Sequence, residues 1–198
     1  MAGKTDKADE KQRARSRILD AAEHLLREKP HRNITIQQIA SKAGCAKGLV
    51  NYHFKTKDAL LAAVADRLAD RRATEWASAL GGLNVTRALS ESWALVLKES
   101  SEHPTQVFEA LRAAGSEKTV RSVNDSQSAY FAALSSGALG LLERAGFAPT
   151  IPAADLGALI ACGIEGFVRA AAQGIPAQRL EPSYAALWAA ALSLTRRR

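Results

Sequence analysis

Apolar side chains recur at three- and four-residue intervals along most of the chain, the period of α-helices with one buried face. Ile18, Ala22, Leu25 and Leu26 make the first stripe, with Arg17, Asp20, Glu23 and Arg27 facing away. The spacing predicts a helix from about Lys11 to Glu28 that stops before Pro30. Thr35-Ile36-Gln37-Gln38 reads as a capping box and opens a short helix with Ile36, Ile39 and Ala40 turned inward. Gly44 supplies a left-handed turn, and a second short helix runs from about Ala46 to Tyr52. Thr56 caps a long helix from Lys57 to about Leu80, which carries Leu60, Leu61, Val64 and Leu68 and ends at Gly81-Gly82. Further helices are expected near 85–101, 104–114, 117–145, 153–173 and 182–196, separated by Gly- and Pro-bearing breaks. No strand and no internal repeat stands out. The expected architecture is all-α with about nine helices.

Two short helices joined through Ala43-Gly44-Cys45, behind one preceding helix, have the layout of a helix-turn-helix. Ile39, Ala40 and Val50 would pack together, with Cys45 as a small apolar plug. The second helix then offers Lys47, Gly48, Leu49 and Asn51 outward. Lys47 suits guanine or phosphate, Asn51 suits an adenine edge, and Leu49 a thymine methyl. Gly48 permits close approach.

Charge sharpens this picture. Through Lys57 the chain carries 13 Lys and Arg against 6 Asp and Glu, and the remainder is balanced, so the whole formal charge of +7 sits in the first quarter. Between Glu28 and Asp58 there is no acid, while Lys29, Arg32, Lys42, Lys47, Lys55 and Lys57 stand there with His31 and His53. Such asymmetry points to nucleic acid, an anionic membrane surface or a solvated basic tail. Lys4, Lys7, Lys11, Arg13, Arg15 and Arg17 extend it to the N-terminus. The residues divide as 1–10, a basic arm that is either ordered on DNA or a disordered tail; 11–57, the helix-turn-helix domain; and 58–198, the second domain.

From about Ile18 to Leu61 the chain resembles the DNA-binding head of the TetR family of bacterial regulators. The capped Thr35 helix, Ile39-Ala40, Ala43-Gly44, Gly48, Tyr52-His53-Phe54, Lys57 and Leu60-Leu61 carry the resemblance. It implies phosphate contacts from Thr35, Tyr52, His53 and Lys57, with Phe54 in the core, beside base contacts from Lys47, Gly48, Leu49 and Asn51. Packing alone is the competing role for Tyr52 and His53. Ala46 departs from the family's usual Ser or Thr cap, Leu49 from its frequent threonine and Asn51 from its frequent aromatic, so no operator sequence carries over.

The resemblance further implies a dimer reading a palindromic operator, and a small-molecule pocket in the C-terminal bundle. Trp93, Phe108, Arg112, Asn124, Tyr130, Phe131 and Glu165 are the candidate pocket residues, with core packing as the competing role for the aromatics. Glu165 interrupts an apolar helix; it would anchor a cationic or hydroxylated ligand, or pair with an arginine across a dimer. Leu156, Ile160, Gly163, Phe167, Tyr184, Leu187, Trp188 and Ala191 form two stripes expected at a four-helix dimer interface, against ordinary intrachain packing.

The expected function is ligand-released repression of transcription, with ligand-independent or architectural DNA binding as the alternative. Enzyme classes find little support: His24, His31, His53 and His103 are scattered, and the two cysteines, Cys45 and Cys162, form no metal-ligand spacing. No cofactor is expected. With no apolar run long enough to span a membrane and no secretory leader, a cytoplasmic setting is expected.

Overall fold

The computed structural model describes residues 2–28, 34–82 and 84–198, with side chains from Asp9 onward. Lys29, His31 and Arg32, counted in the acid-free stretch, lie outside the described residues, as do the side chains of Lys4 and Lys7. Among the described residues the elements are α1 (Ala2–Glu28), α2 (Ile36–Lys42), α3 (Lys47–Phe54), α4 (Lys57–Leu80), α5 (Val85–Glu102), α6 (Pro104–Ala114), α7 (Glu117–Arg144), β1 (Phe147–Pro149), α8 (Ala153–Ala172), α9 (Ala177–Ser193) and β2 (Thr195–Arg197). The all-α class expected from periodicity is what the chain adopts.

Three boundaries differ from the sequence reading. α1 begins at Ala2, well before Lys11. Its early residues carry no apolar stripe, yet Ala, Lys, Glu, Gln and Arg are good helix formers, so propensity extends the helix where periodicity is silent. α9 begins at Ala177 with Pro176 as its N-cap, and keeps Pro182 inside it. The C-terminal end, expected to be helical to about residue 196, instead pairs in an antiparallel ladder, Phe147 with Arg197 and Pro149 with Thr195. Three residues a side are too few for an alternating pattern to be seen.

The chain forms two compact units: Met1–Leu68 with Thr105–Ser126, and Ala69–Pro104 with Gln127–Arg198. In the first, α1 packs on α2 and α3, and α2 on α3. Ile18, Leu26, Ile39, Ala40, Val50, Leu60, Leu61 and Val64 are fully buried there. Arg67 joins α4 to α1, donating to Asp20 Oδ1 at 2.7 Å and Glu23 Oε2 at 3.1 Å. In the second unit α8 packs on both α5 and α9, around Trp76, Leu80, Val96, Leu156, Ile160, Ile164 and Ala191. A Cβ added at Gly163 would fall 2.6 Å from Leu187 Cδ2, so this glycine is what lets α9 approach α8.

Candidate nucleic-acid interface

The capping box forms as its sequence requires. The Gln38 amide donates to Thr35 Oγ1 at 3.2 Å and the Thr35 amide donates to Gln38 Oε1 at 2.9 Å. After α2, Gly44 takes φ +63° and the Cys45 amide donates to the Ala40 carbonyl at 3.0 Å, closing the turn. Ala46 is the N-cap of α3 and makes no side-chain cap bond, leaving the first amides of this helix unpaired by side chains. Val50 and Phe54 point into the core and fix the rotation of α3. Thr56 caps α4, its Oγ1 accepting the Ala59 amide at 3.1 Å.

With that rotation set, Lys47, Gly48, Asn51 and Tyr52 are exposed and Leu49 and His53 half-buried, while Thr35 is exposed and Lys57 half-buried. A Cβ at Gly48 would meet nothing within 4 Å, so the chain's own packing gives no reason for a glycine there. Tyr52, 56% exposed, is the most exposed large apolar side chain among the described residues.

Two cations approach its ring: Lys11 Nζ at 5.4 Å and Lys55 Nζ at 5.5 Å from the centroid. Arg15 lies 5.3 Å over the Phe54 ring. His53 makes an edge contact with Tyr52, centroids 5.3 Å apart. Partial burial, then the charges of Lys11 and Arg15, hold its pKa below the usual imidazole value. From sequence, Lys11 and Arg15 belong to a basic arm, on DNA or solvated, and nothing sets them beside Tyr52 and Phe54. The four-residue spacing of the two cations, which puts both on one face of α1, is the signal that could have placed them here.

The residues named for a ligand site fall into separate clusters. In the first unit Phe108 is fully buried and Arg112 Nε donates to Asn124 Oδ1 at 3.1 Å. In the second, Glu165 Oε1 accepts from Arg72 Nη2 at 2.6 Å and from the Tyr130 hydroxyl at 2.7 Å. Arg72 also holds Glu99 through two bonds of 2.8 Å, and stacks 4.0 Å over the Tyr130 ring. Burial opposes the Arg72 charge, but the Glu99 hydrogen bonds and the surrounding charges outweigh it and raise its pKa. Burial likewise pushes the Tyr130 phenol up, so it remains a donor. Sequence reasoning missed Arg72 and Glu99, which look like ordinary surface charges on α4 and α5. Trp93 is half-buried with its ring centroid 5.2 Å from that of Tyr184, and Phe131 is half-buried.

The stripes expected at a dimer interface lie largely inside the single chain. Leu156, Ile160, Tyr184, Trp188 and Ala191 are buried within their own chain. Gly163 and Leu187 pack on each other, and Phe167 packs edge-on against Tyr184 at 5.4 Å. These residues seat α5, α8 and α9 together because the most apolar stripe of each helix is spent on the bundle's own core. What α8 leaves outward is Leu159, 46% exposed, with Cys162 and Gly166; α9 leaves Ala185, Ala186, Ala189 and Ala190.

Residues 18–64 match the family model described as bacterial regulatory proteins, tetR family. Over 68 residues the chain is 41% identical to an uncharacterized HTH-type transcriptional regulator in the dhlA 5′ region of Xanthobacter autotrophicus. That match spans 34% of each chain, about a third of the relative's length. A transcriptional regulator from Rhodococcus sp. Rha1 superposes with a TM-score of 0.73 at 23% identity, over 91% of this chain and 97% of that one. SmeT in complex with triclosan gives 0.68 at 19% identity, over 93% and 92%. No helix among the described residues is long and apolar enough to cross a membrane.

Proposed function

We propose, from the premise that this chain is a transcriptional regulator of the TetR family, that it binds a palindromic DNA operator as a homodimer and releases it when a small molecule binds the C-terminal helices. The observation that carries the reading is the outward face of α3. Lys47, Gly48, Asn51 and Tyr52 are all exposed there, Lys47 has no carboxylate partner among the described residues, and Gly48 has no packing role. A helix held by Val50 and Phe54 with such a face outward suits insertion into the major groove. Lys47 and Asn51 then meet base edges, and Thr35, Tyr52, His53 and Lys57 meet phosphates.

Small-molecule release is supported by SmeT, a protein of the same fold solved with triclosan bound. α4 starts at Lys57 and continues without a break to Leu80, so it runs from the first unit into the second. A ligand that prefers one setting of α4 shifts the population by its differential affinity for the two settings, and DNA affinity changes by the same coupling. The dimer would form through the outward faces of α8 and α9, where Leu159 and the row of alanines are exposed. The reading predicts a binding protein that turns nothing over.

The test is selection of fragments of the source genome by the purified protein at about 150 mM salt, where binding to phosphates alone is suppressed. Recovery of one or a few inverted repeats, followed by release with compounds related to the flanking genes, is the expected result. Fragments without a shared sequence would remove operator recognition and leave backbone binding alone.

A further inference from the structure

We infer that the N-terminal half of α1 is a second DNA-binding element, a cationic rail that grips the phosphate backbone outside the groove entered by α3. This rests on the regulator reading above and extends its footprint. Lys11 of α1 and Lys55, just after α3, stand on the exposed Tyr52 ring at 5.4 and 5.5 Å. Arg15, one turn further along α1, covers Phe54 at 5.3 Å. None of the three has a carboxylate partner among the described residues. Three cations from two elements thus crowd the end of the recognition helix without an anion between them. Like charges held this close repel one another, and an anion with the spacing and valence of a polynucleotide backbone relieves that repulsion.

The backbone at Lys55 makes this testable. Its φ is +54°, a conformation that favours glycine, and the Thr56 amide donates to the Phe54 carbonyl around it. Glycine adopts this conformation at lower cost, so replacing Lys55 by glycine removes the side chain without harm to the backbone.

α1 continues the pattern. It is helical from Ala2, and at 3.6 residues per turn positions 4, 7, 11 and 15 lie within about 80° of one another. All four are Lys or Arg. Positions 4 to 11 add about 10 Å of helix, the length the rail would have beyond Lys11. Duplex DNA is favoured over an anionic membrane because α3 beside these cations exposes Lys47, Gly48 and Asn51, and the single Tyr52 ring is no apolar face to enter a bilayer.

The experiment measures the dependence of affinity on salt for the full-length protein. The probes are its selected operator and a random-sequence duplex of equal length, and the variants are Lys55→Gly and the triple Lys4→Ala, Lys7→Ala, Lys11→Ala. Lys55→Gly should keep or raise the thermal midpoint while flattening the slope of log K against log salt by about 0.9, the value of one B-DNA phosphate contact. The triple variant should flatten it by about two to three units on both probes, with sequence preference unchanged. Wild-type slopes in both variants, at full DNA affinity, would overturn the rail and leave the regulator reading standing. No affinity of the wild type for either duplex at 50 mM salt would overturn the regulator reading itself. Binding of the wild type to phosphatidylserine vesicles, lost in the triple variant with DNA slopes unchanged, would assign the rail to a membrane and overturn the proposal.

Discussion

Asp58 Oδ1, in the first turn of α4, accepts a hydrogen bond from Thr119 Oγ1, in the first turn of α7, at 2.8 Å. The same carboxylate takes the Ser116 amide at 3.2 Å and the Ser116 hydroxyl at 2.8 Å. An acid on one helix therefore caps the start of another, and it does so beside Lys57. Eight residues on, Asp66 accepts from Ser126 Oγ at 2.5 Å, a second link between the same two helices. The Ser116 and Thr119 hydrogen bonds favour the charged carboxylate and hold the Asp58 pKa below its ordinary value. Stability from this group is present above the unfolded pKa near 3.8 and is lost as pH falls through the lowered folded value. Asp58→Ala should cost about 1 kcal/mol at pH 7, measured by urea unfolding, and the difference from wild type should shrink toward pH 3. A loss that stays the same down to pH 3 would sink the cap.

Gly48→Ala separates fold from recognition. The added methyl meets nothing in the chain, and alanine is the better helix former by about 1 kcal/mol. The variant should therefore unfold at equal or higher temperature yet bind the selected operator at least tenfold more weakly, because the methyl stands where DNA must approach. Full operator affinity would take Gly48 out of the interface.

The sequence made most of the head legible because its devices are local. Thr35 and Gln38 are three residues apart, and Gly44 answers a turn that ends two residues later. Two kinds of feature were hidden. The Arg72 cluster joins residues 27 and 93 positions apart, and nothing near Arg72 or Glu99 in sequence marks them as buried. The expected dimer stripes lie largely inside the chain for the opposite reason: hydrophobic periodicity finds the most apolar face of α8 and α9, which is the face the bundle's own core takes. The face proposed between subunits, with Leu159, Gly166 and the α9 alanines, is small and only moderately apolar. The polar start of α1 escaped because a helix without a buried face leaves no hydrophobic period to find.

Arg72 is the most consequential buried charge in the second unit. Its side chain is 3% exposed and Glu99's 1%. Removing the arginine leaves Glu99 buried without its cation, a loss of about 3–5 kcal/mol. Arg72→Ala should show this in denaturant midpoints, or fail to fold. Glu165→Gln keeps an acceptor for Tyr130 and leaves the Glu99 pair intact, and with Glu165 29% exposed it should cost no more than about 1 kcal/mol. Equal losses in both variants would contradict the view that Glu99 is the arginine's principal partner.

The proposed contact of His53 with phosphate gives the DNA affinity a pH dependence. In the free protein its pKa is lowered by partial burial and by Lys11 and Arg15, so it is neutral at pH 7. A neighbouring phosphate favours the charged ring and raises that pKa on binding. Complex formation then takes up a proton, and affinity should rise as pH falls from about 7.5 toward 6, several-fold in wild type and flat in His53→Gln. The folded chain alone has the opposite trend: with its pKa depressed, His53 lowers stability as pH falls below about 6.5. A pH-independent affinity in wild type would place His53 away from phosphate.

The proposed dimer makes the sharpest demand on α8. Leu159, Cys162 and Gly166 follow one another at three- and four-residue steps, and all are exposed in the single chain. A stable interface covers roughly 1,200–2,000 Å², and a charge at its centre is severely unfavourable because the partner presents the same residue across a two-fold axis. Leu159→Lys should therefore give a folded monomer, with unchanged helicity, by light scattering at micromolar concentration. Leu156→Lys, one turn earlier on the buried face of the same helix, should lose the fold instead. Mild oxidation should link wild-type chains through Cys162 and leave Cys162→Ser unlinked. If Leu159→Lys remained a dimer of wild-type affinity, the contact would have to be sought on another face of the bundle.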